Sequence, residues 1–331
     1  MSDGPRQVTA LAGGVGAAKM LRGLASVLGA RALTAIVNTG DDVVLHGLHV
    51  SPDIDTVTYT LAGVNNDATG WGLAGETWAV MSALRAFGEP ALTWFNLGDR
   101  DLATHLFRTG RLAEGARLSE VTDVVAQRFG VQARILPMSD ERVETRVTVL
   151  LGPGHDPFGG PGEVEVGFQE YFVGLRHEVP VISVRFVGAA TAPPGPGVLE
   201  ALQEAERIVI CPSNPVVSIG PVLALPALAG AVASRRESTV AVSPIIAGKA
   251  LKGPADRMLA ELGYEASVAG VAQMWAPFAS TLVVDQADAH LAGAVEAQGM
   301  RCVVAPSVMS GPMEAASLAR AVLSAPGLRG S

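Results

Sequence analysis

Asp41-Asp42 and Asp53-x-Asp55 put four carboxylates into one short stretch of the chain. Hard cations such as magnesium take several carboxylate oxygens converging from turn-forming segments, and two aspartate-bearing loops meet that demand. The same residues also suit a plainer purpose. Asp41 and Asp42 can close a turn after the apolar run Ala35-Ile36-Val37, and Asp53 can cap a helix. Upstream, Gly13-Gly14-Val15-Gly16, with Lys19 one turn later, has the make-up of a phosphate cradle. Glycines let the backbone approach a diphosphate, the following helix presents its positive dipole end, and Lys19 reaches a phosphate oxygen. Far downstream, Pro212-Ser213-Asn214-Pro215 offers a hydroxyl, an amide and backbone N–H groups in one turn. Asp99 and Arg100, in Leu97-Gly98-Asp99-Arg100-Asp101, form either a surface ion pair or a site-lining loop. His105 has no metal-ligand partner at i+4, where Thr109 stands, and reads as structural or substrate-facing.

These groups need elements to hold them, and the hydrophobic pattern supplies an α/β alternation. Val8-Thr9-Ala10-Leu11-Ala12 reads as a buried strand entering the glycine turn; residues 17–28 carry Met20, Leu21, Leu24, Val27 and Leu28 at helical spacing. Helices are expected at 56–62, 77–87, 102–108 (capped by Asp101) and 118–129, with short strands at 93–96 and 133–137. Residues 143–151 alternate apolar and polar, which predicts a half-buried antiparallel strand. Its partner is 163–168, across a mobile Gly/Pro-rich loop at 152–162. The α/β rhythm then resumes, with strands at 181–187, 208–211, 239–242, 281–284 and 302–305. Helices fall at 197–205, 221–233, 255–262 and 287–296. The pattern predicts one α/β domain over residues 1–331: a Rossmann-like, doubly wound, mostly parallel sheet. A helical and β-hairpin insertion occupies about residues 60–180.

Such a fold, with Asp41 on a ribose, would suit a Rossmann-type nucleotide-binding oxidoreductase. Lys19 at the third glycine position of GxGxxG and the unexplained second acid pair count against it. A guanine-nucleotide-binding regulatory protein is a third option, and the GxxxxGK[ST] loop it would use is absent. A formal net charge of −8 over 331 residues leaves no basic face for nucleic acid, yet permits one phosphorylated ligand held locally. Cys211 and Cys302, the two cysteines, sit in or beside apolar runs and read as isolated buried thiols. With no export signal before residue 8 and no apolar run long enough to span a bilayer, the expectation is a cytoplasmic protein away from membranes.

Several stretches together resemble the CofD family. They are residues 12–19 around Gly13-Gly14-Val15-Gly16, Val37-Asn38-Thr39-Gly40-Asp41-Asp42, Ser51-Pro52-Asp53-Ile54-Asp55-Thr56 and Leu97-Gly98-Asp99-Arg100-Asp101. Ile135-Leu136-Pro137-Met138-Ser139-Asp140, residues 211–221 and Val242-Ser243-Pro244 continue the pattern, so it covers nearly the whole chain in order. The resemblance implies a magnesium-dependent phosphotransferase of coenzyme F-420 biosynthesis with a Rossmann-like core. Its acceptor would be the ribityl alcohol of 7,8-didemethyl-8-hydroxy-5-deazariboflavin (Fo). Its donor would be a guanosine diphosphate ester of lactate, enolpyruvate or a related three-carbon acid, and GMP would leave. On this resemblance Gly13, Gly14, Gly16, Lys19, Asn38, Thr39, Ser213 and Asn214 hold the guanosine diphosphate part. Asp41 and Asp53 bind Mg2+, and Asp55 contacts the ribityl chain and helps deprotonate its hydroxyl, making these three the catalytic acids. Asn96 touches the deazaflavin, with Asp99 and Arg100 beside it. A homodimer is expected as the commonest assembly.

Overall fold

All five residues of Val8–Ala12 are buried, as in a strand covered on both faces. The structure, a computed structural model, describes residues 7–88, 93–153 and 160–327, so the middle of the loop expected at 152–162 lies outside the described residues. The central sheet has seven strands: β1 (Val8–Ala12), β2 (Leu33–Val37), β3 (Arg134–Pro137), β4 (Arg207–Ile210), β5 (Thr239–Val242), β6 (Thr281–Val284) and β7 (Arg301–Val304). Their order is 3-2-1-4-5-6-7 and every neighbouring pair is parallel. This is the doubly wound order with one strand added, and it reverses direction between β1 and β4, where open α/β sheets bind ligands.

Alternation along β1 sorts the two cores. Val8, Ala10 and Ala12 join α1 (Gly14–Leu28), α2 (Pro52–Ala62) and the final helix Pro312–Ser324 on one face; Leu11 joins the opposite face. A second sheet lies on that opposite face, with Glu144–Leu151 between Gly162–Gly167 and Val181–Val187, antiparallel to both. The hairpin partner expected at 163–168 is therefore present. Val181–Val187, by contrast, belongs to this sheet and not to the α/β alternation: it pairs with Glu144–Leu151, and Val181, Val184 and Phe186 turn to the core while its other residues are exposed. β3 falls inside the span 60–180 yet pairs with β2, so the added elements come in two blocks on either side of it.

Other departures have local causes. No strand forms at 93–96; Trp94 and Phe95 pack edge-on against each other and against the small cluster of Leu45, Val50, Met81 and Leu97. A hairpin, Val43–Leu45 with Leu48–Val50, follows the first aspartate pair. Its two-residue turn, His46 and Gly47, has positive φ at both positions, the geometry that matches strand twist. The helix expected at 221–233 breaks at residues 224–225, because Pro226 supplies no N–H to continue it. Val268–Trp275, capped by Ser267, is a further helix, and 287–296 is divided between a 3-10 segment and Ala292–Ala297. Cys211 and Cys302 are free thiols, the first buried and the second half-buried. Among the described residues no single helix is long and apolar enough to cross a membrane.

Candidate active site

The turn after β1 and the turn after β4 meet in the crevice between those strands. Gly14 starts α1 at φ +71, a conformation glycine tolerates. A Cβ on Gly16 would stand 2.2 Å from the Pro212 carbonyl oxygen, so the two turns touch backbone to backbone. Ser213 Oγ donates to Gly13 O at 2.7 Å and ties them further. Asn214 Oδ1 accepts from the N–H groups of Val216 (2.9 Å) and Val217 (3.4 Å), capping the helical turn that follows. The Ser213 and Asn214 side chains thus shape the crevice wall, and the half-exposed backbone of residues 14–16 lines its floor.

The aspartates enter from α2 and from the loop after β2. Asp53 lies within the first turn of α2 and leaves its own helix uncapped. Its Oδ1 accepts from Gly14 N at 2.6 Å, and its Oδ2 accepts from Asn38 Nδ2 at 2.9 Å. It therefore caps α1, where the helix dipole favours an anion. The same Asn38 amide reaches Asp41 Oδ1 at 3.4 Å, so one side chain bridges both acids expected to bind metal. Asn38 Oδ1 accepts from Gly40 N at 2.8 Å and fixes the turn itself. The second sheet closes the loop from behind: Thr145 N donates to Gly40 O (2.7 Å), and Gln169 Nε2 to Asp41 Oδ2 (3.1 Å). Asp42 N donates to Thr39 O (3.2 Å), so a turn does form, while Asp42 Oδ2 accepts from Ser51 Oγ (2.7 Å).

The electrostatics fit a divalent cation. Burial pushes the Asp41 carboxyl well above the usual range, and the charges of Asp53 and Asp42 push it further. Burial likewise raises Asp42 to about 8 and Asp53 to about 6, against the opposing hydrogen bonds of Ser51, and of Asn38 and Gly14. Thr39 Oγ1 and Asp42 Oδ1, on either side of Asp41 in sequence, are buried oxygens without a hydrogen-bond partner. Unpaired buried oxygens beside mutually repelling acids are costly alone and become favourable around a hydrated hard cation.

Asp55 occupies a different setting. Both its oxygens are taken by the guanidinium of Arg108, with Arg108 NH1 at 3.1 Å from Oδ2 and NH2 on Oδ1. The Arg108 and Asp55 side chains are 1% and 6% exposed, so this is a buried bidentate pair. Arg108 belongs to α3 (Asp101–Ala113), on the same helix face as Asp101 and His105. His105 Nδ1 lies 3.7 Å from Asp55, and its Nε2 lies 3.5 Å from Asp101. Tyr59 OH donates to Asp101 Oδ1 at 2.6 Å. Against the cost of burial, His105 and Tyr59 hold the Asp101 carboxyl below its ordinary value. Asp55, Asp101 and His105 offer ligand atoms within 4.8 Å of one another. A cation there would have to displace Arg108, so this triad reads as a closed ionic network and not as the metal site. The partner of His105 thus lies one turn back, not one turn forward. Asp101 does not cap its helix either: Glu76 accepts from the N–H groups of Arg100 and Asp101, each at 2.9 Å.

Among the described residues, the remaining expected ones make no hydrogen bond to these acids. Asp99 accepts from Thr77 Oγ1 (2.5 Å), Ala79 N (2.8 Å) and Val80 N (3.0 Å), capping the helix Ala79–Arg85. Asn96 Oδ1 accepts from Arg85, and Arg100 NH1 donates to Ala74 O at 2.8 Å. These three hold the helical block together. Lys19 Nζ donates to Met309 O at 3.1 Å. Sequence reading missed Gln169, which carries no motif, and Arg108, whose three-residue offset from His105 was legible. It also missed Ser218, whose Cβ lies 2.9 Å from where a Cβ on Gly13 would stand.

Comparison with known proteins accords with this geometry. The family described as 2-phospho-L-lactate transferase CofD matches residues 8–306. A phosphoenolpyruvate transferase of Kitasatospora aureofaciens is 45% identical over 319 residues, covering 96% of this chain and 97% of its own. One of Mycolicibacterium smegmatis is 40% identical over 331 residues, covering 97% and 99%. A crystal structure of a UPF0052-family protein from Bacillus halodurans shares the fold, with a TM-score of 0.57 at 16% identity over 96% of this chain and 99% of that one.

Proposed function

Because this chain belongs to the CofD family, we propose that it transfers an enolpyruvyl phosphate group from its guanosine diphosphate ester to the ribityl hydroxyl of Fo, in coenzyme F-420 biosynthesis. The relatives named phosphoenolpyruvate transferase favour enolpyruvate over lactate as the three-carbon acid. The observation that carries the chemistry is the convergence of Asp41 and Asp53 on Asn38 at the mouth of the glycine turn.

The acceptor oxygen attacks the phosphorus that bears the enolpyruvyl group. A new P–O bond forms, the P–O bond to GMP breaks, and GMP leaves with the electron pair. Asp41 and Asp53 would hold Mg2+, which neutralises the diphosphate and stabilises charge on the transferring phosphoryl group. The Gly14 N–H is taken by Asp53, so the backbone N–H groups of Val15 and Gly16 would face the donor from the positive end of α1. Asp55, with both oxygens on Arg108, fixes the first turn of α2 and through it Asp53. The hydroxyl proton passes to an ionised carboxylate of the cluster. Incubation with Fo, the guanylated enolpyruvyl phosphate and Mg2+ tests the reading: GMP release should require all three. Release of GMP without Fo, or no release with all three present, would overturn it.

The acids also set a pH dependence. Folding raises the pKa of Asp53 to about 6 and of Asp42 to about 8, above the ordinary unfolded value near 4. Groups raised in this way lend stability that is complete below the unfolded pKa and is lost as pH rises through the folded values. The metal-free protein should therefore lose stability between about pH 4 and 8, in the window of those two shifts. A cation that binds the ionised acids reverses this, so the rise in melting temperature on adding Mg2+ should be larger at pH 8.5 than at pH 5.5. Equal rises at both pH values, measured by calorimetry against EDTA, would remove the acids from metal binding.

A further inference from the structure

The turn of residues 66–72 lies along one face of α1. Val15, Lys19 and Arg22 follow one another there at helical spacing, and the turn meets the first and the last of them. Asp67 pairs with Arg22 at 3.5 Å. Gly70, at φ +83, comes so close that an added Cβ would stand 2.9 Å from Val15 Cγ1 and 3.2 Å from Lys252 Nζ. Lys252 follows the small hairpin of Ile245–Ile246 and Lys249–Ala250, so a third segment of the chain arrives at this point, its Nζ 3.5 Å from Thr69 O. Lys19 therefore sits between Arg22 and Val15 under the turn, with Lys252 across from it.

Asp67 is engaged by Arg22, and among the described residues no carboxylate pairs with Lys19 or Lys252. Burial, then Lys252, then Arg22 push the Lys19 ammonium below the ordinary lysine value, with Asp67 opposing. In a protein of net charge −8, two neighbouring ammonium groups that hold only the backbone carbonyls of Met309 and Thr69 and, among the described residues, no carboxylate make a local site for anionic oxygens beside half-exposed residues 14–16. The aspartate cluster lies at Gly14 N, in the same turn. A ligand with anionic groups at two separated points would be held at both.

We propose that Lys252, opposite Lys19 across the tip of the 66–72 turn, is a donor-binding residue that grips anionic oxygens of the guanylated acid. This rests on the donor assigned above, which carries a diphosphate and a carboxylate. Either group supplies the required chemistry, and the experiment separates them. Binding of GDP and of the guanylated enolpyruvyl phosphate to the whole protein with Mg2+ is measured by calorimetry for wild type, Lys252→Met, Lys252→Arg and Lys249→Met. Lys249 is an exposed lysine of the same hairpin, ion-paired with Asp256, and serves as the control for net charge. Lys252→Met should bind the guanylated acid about tenfold more weakly, with Lys252→Arg recovering most of the loss and Lys249→Met unchanged. If GDP weakens equally, Lys252 holds the diphosphate; if only the guanylated acid weakens, it holds the carboxylate. Wild-type affinity of Lys252→Met for both ligands, or an equal loss in Lys249→Met, overturns the proposal. Binding is read without turnover, so a failure of the transferase reading would appear separately, as intact binding without GMP release.

Discussion

Asp53→Asn is expected to lower kcat on the order of 10³-fold, the loss of roughly 4 kcal/mol of charge stabilisation at the transferring phosphoryl group. Asparagine keeps an acceptor for Gly14 N–H and the shape of the side chain, so the two helices remain joined. What disappears is the ionised oxygen beside Asn38 that shares a bridge with Asp41. The melting temperature of the metal-free variant should stay within a few degrees of wild type or rise, because burial makes this carboxylate costly. Steady-state GMP release beside a thermal melt separates the two effects. Wild-type turnover in a variant that still binds Mg2+ as wild type does would take Asp53 out of the reaction.

Arg108→Met should have the largest effect on folding. It leaves the Asp55 carboxylate buried without the guanidinium that holds both its oxygens, and only His105 Nδ1, at 3.7 Å, remains beside it. Removing one partner of a buried pair costs about 3–5 kcal/mol, much of it the penalty on the charge left behind. The origin of the cost is checked by adding Asp55→Asn to Arg108→Met. The double variant carries no stranded charge and should recover more than half of the lost stability in urea denaturation. A single variant that unfolds at the wild-type urea concentration would show that Asp55 has another compensating partner. Loss of activity should track this variant as well, because Asp55 stands in the first turn of α2 with Asp53.

The two predictions concern residues that differed in how far the sequence revealed them. Asp53 was marked by its type and neighbours: an acid two residues from another, directly after Ser51-Pro52, within reach of a glycine turn only if the fold brought it there. Arg108 sits in an amphipathic helix whose other arginine, Arg111, makes an exposed pair with Glu114. Sequence spacing puts Arg108 on the face of Asp101 and His105, but it does not say that this face is buried against α2. The strand expected at 93–96 failed for a related reason. Trp94, Phe95 and Leu97 have strand-like composition, but they pack with Leu45, Val50 and Met81 in a small core of their own. Short apolar runs do not announce whether they will pair backbones or bury side chains. The second sheet was half legible. Glu144–Leu151 and Gly162–Gly167 alternate and are near in sequence, while Val181–Val187 comes after intervening turns and looks like one more strand of the α/β series.

By itself the sequence determined the α/β class, most of the parallel strands, the glycine turn and the aspartate stretch, because these depend on local periodicity and residue type. Strand order, and with it the crevice between β1 and β4, was decided only in three dimensions, since parallel neighbours such as Leu11 and Ile210 are far apart in the chain. The four aspartates likewise acquired their separate partners only there. Asp53 caps a helix that is not its own, Asp41 is held by an asparagine and a glutamine, Asp42 keeps an unpartnered oxygen, and Asp55 is bound to Arg108. Residue type alone does not separate them, and the family resemblance assigned Asp41 and Asp53 to the metal and Asp55 to the acceptor. Burial and the identity of each long-range partner distinguished them, because a carboxylate's charge and freedom are set by its surroundings and not by its position in the chain.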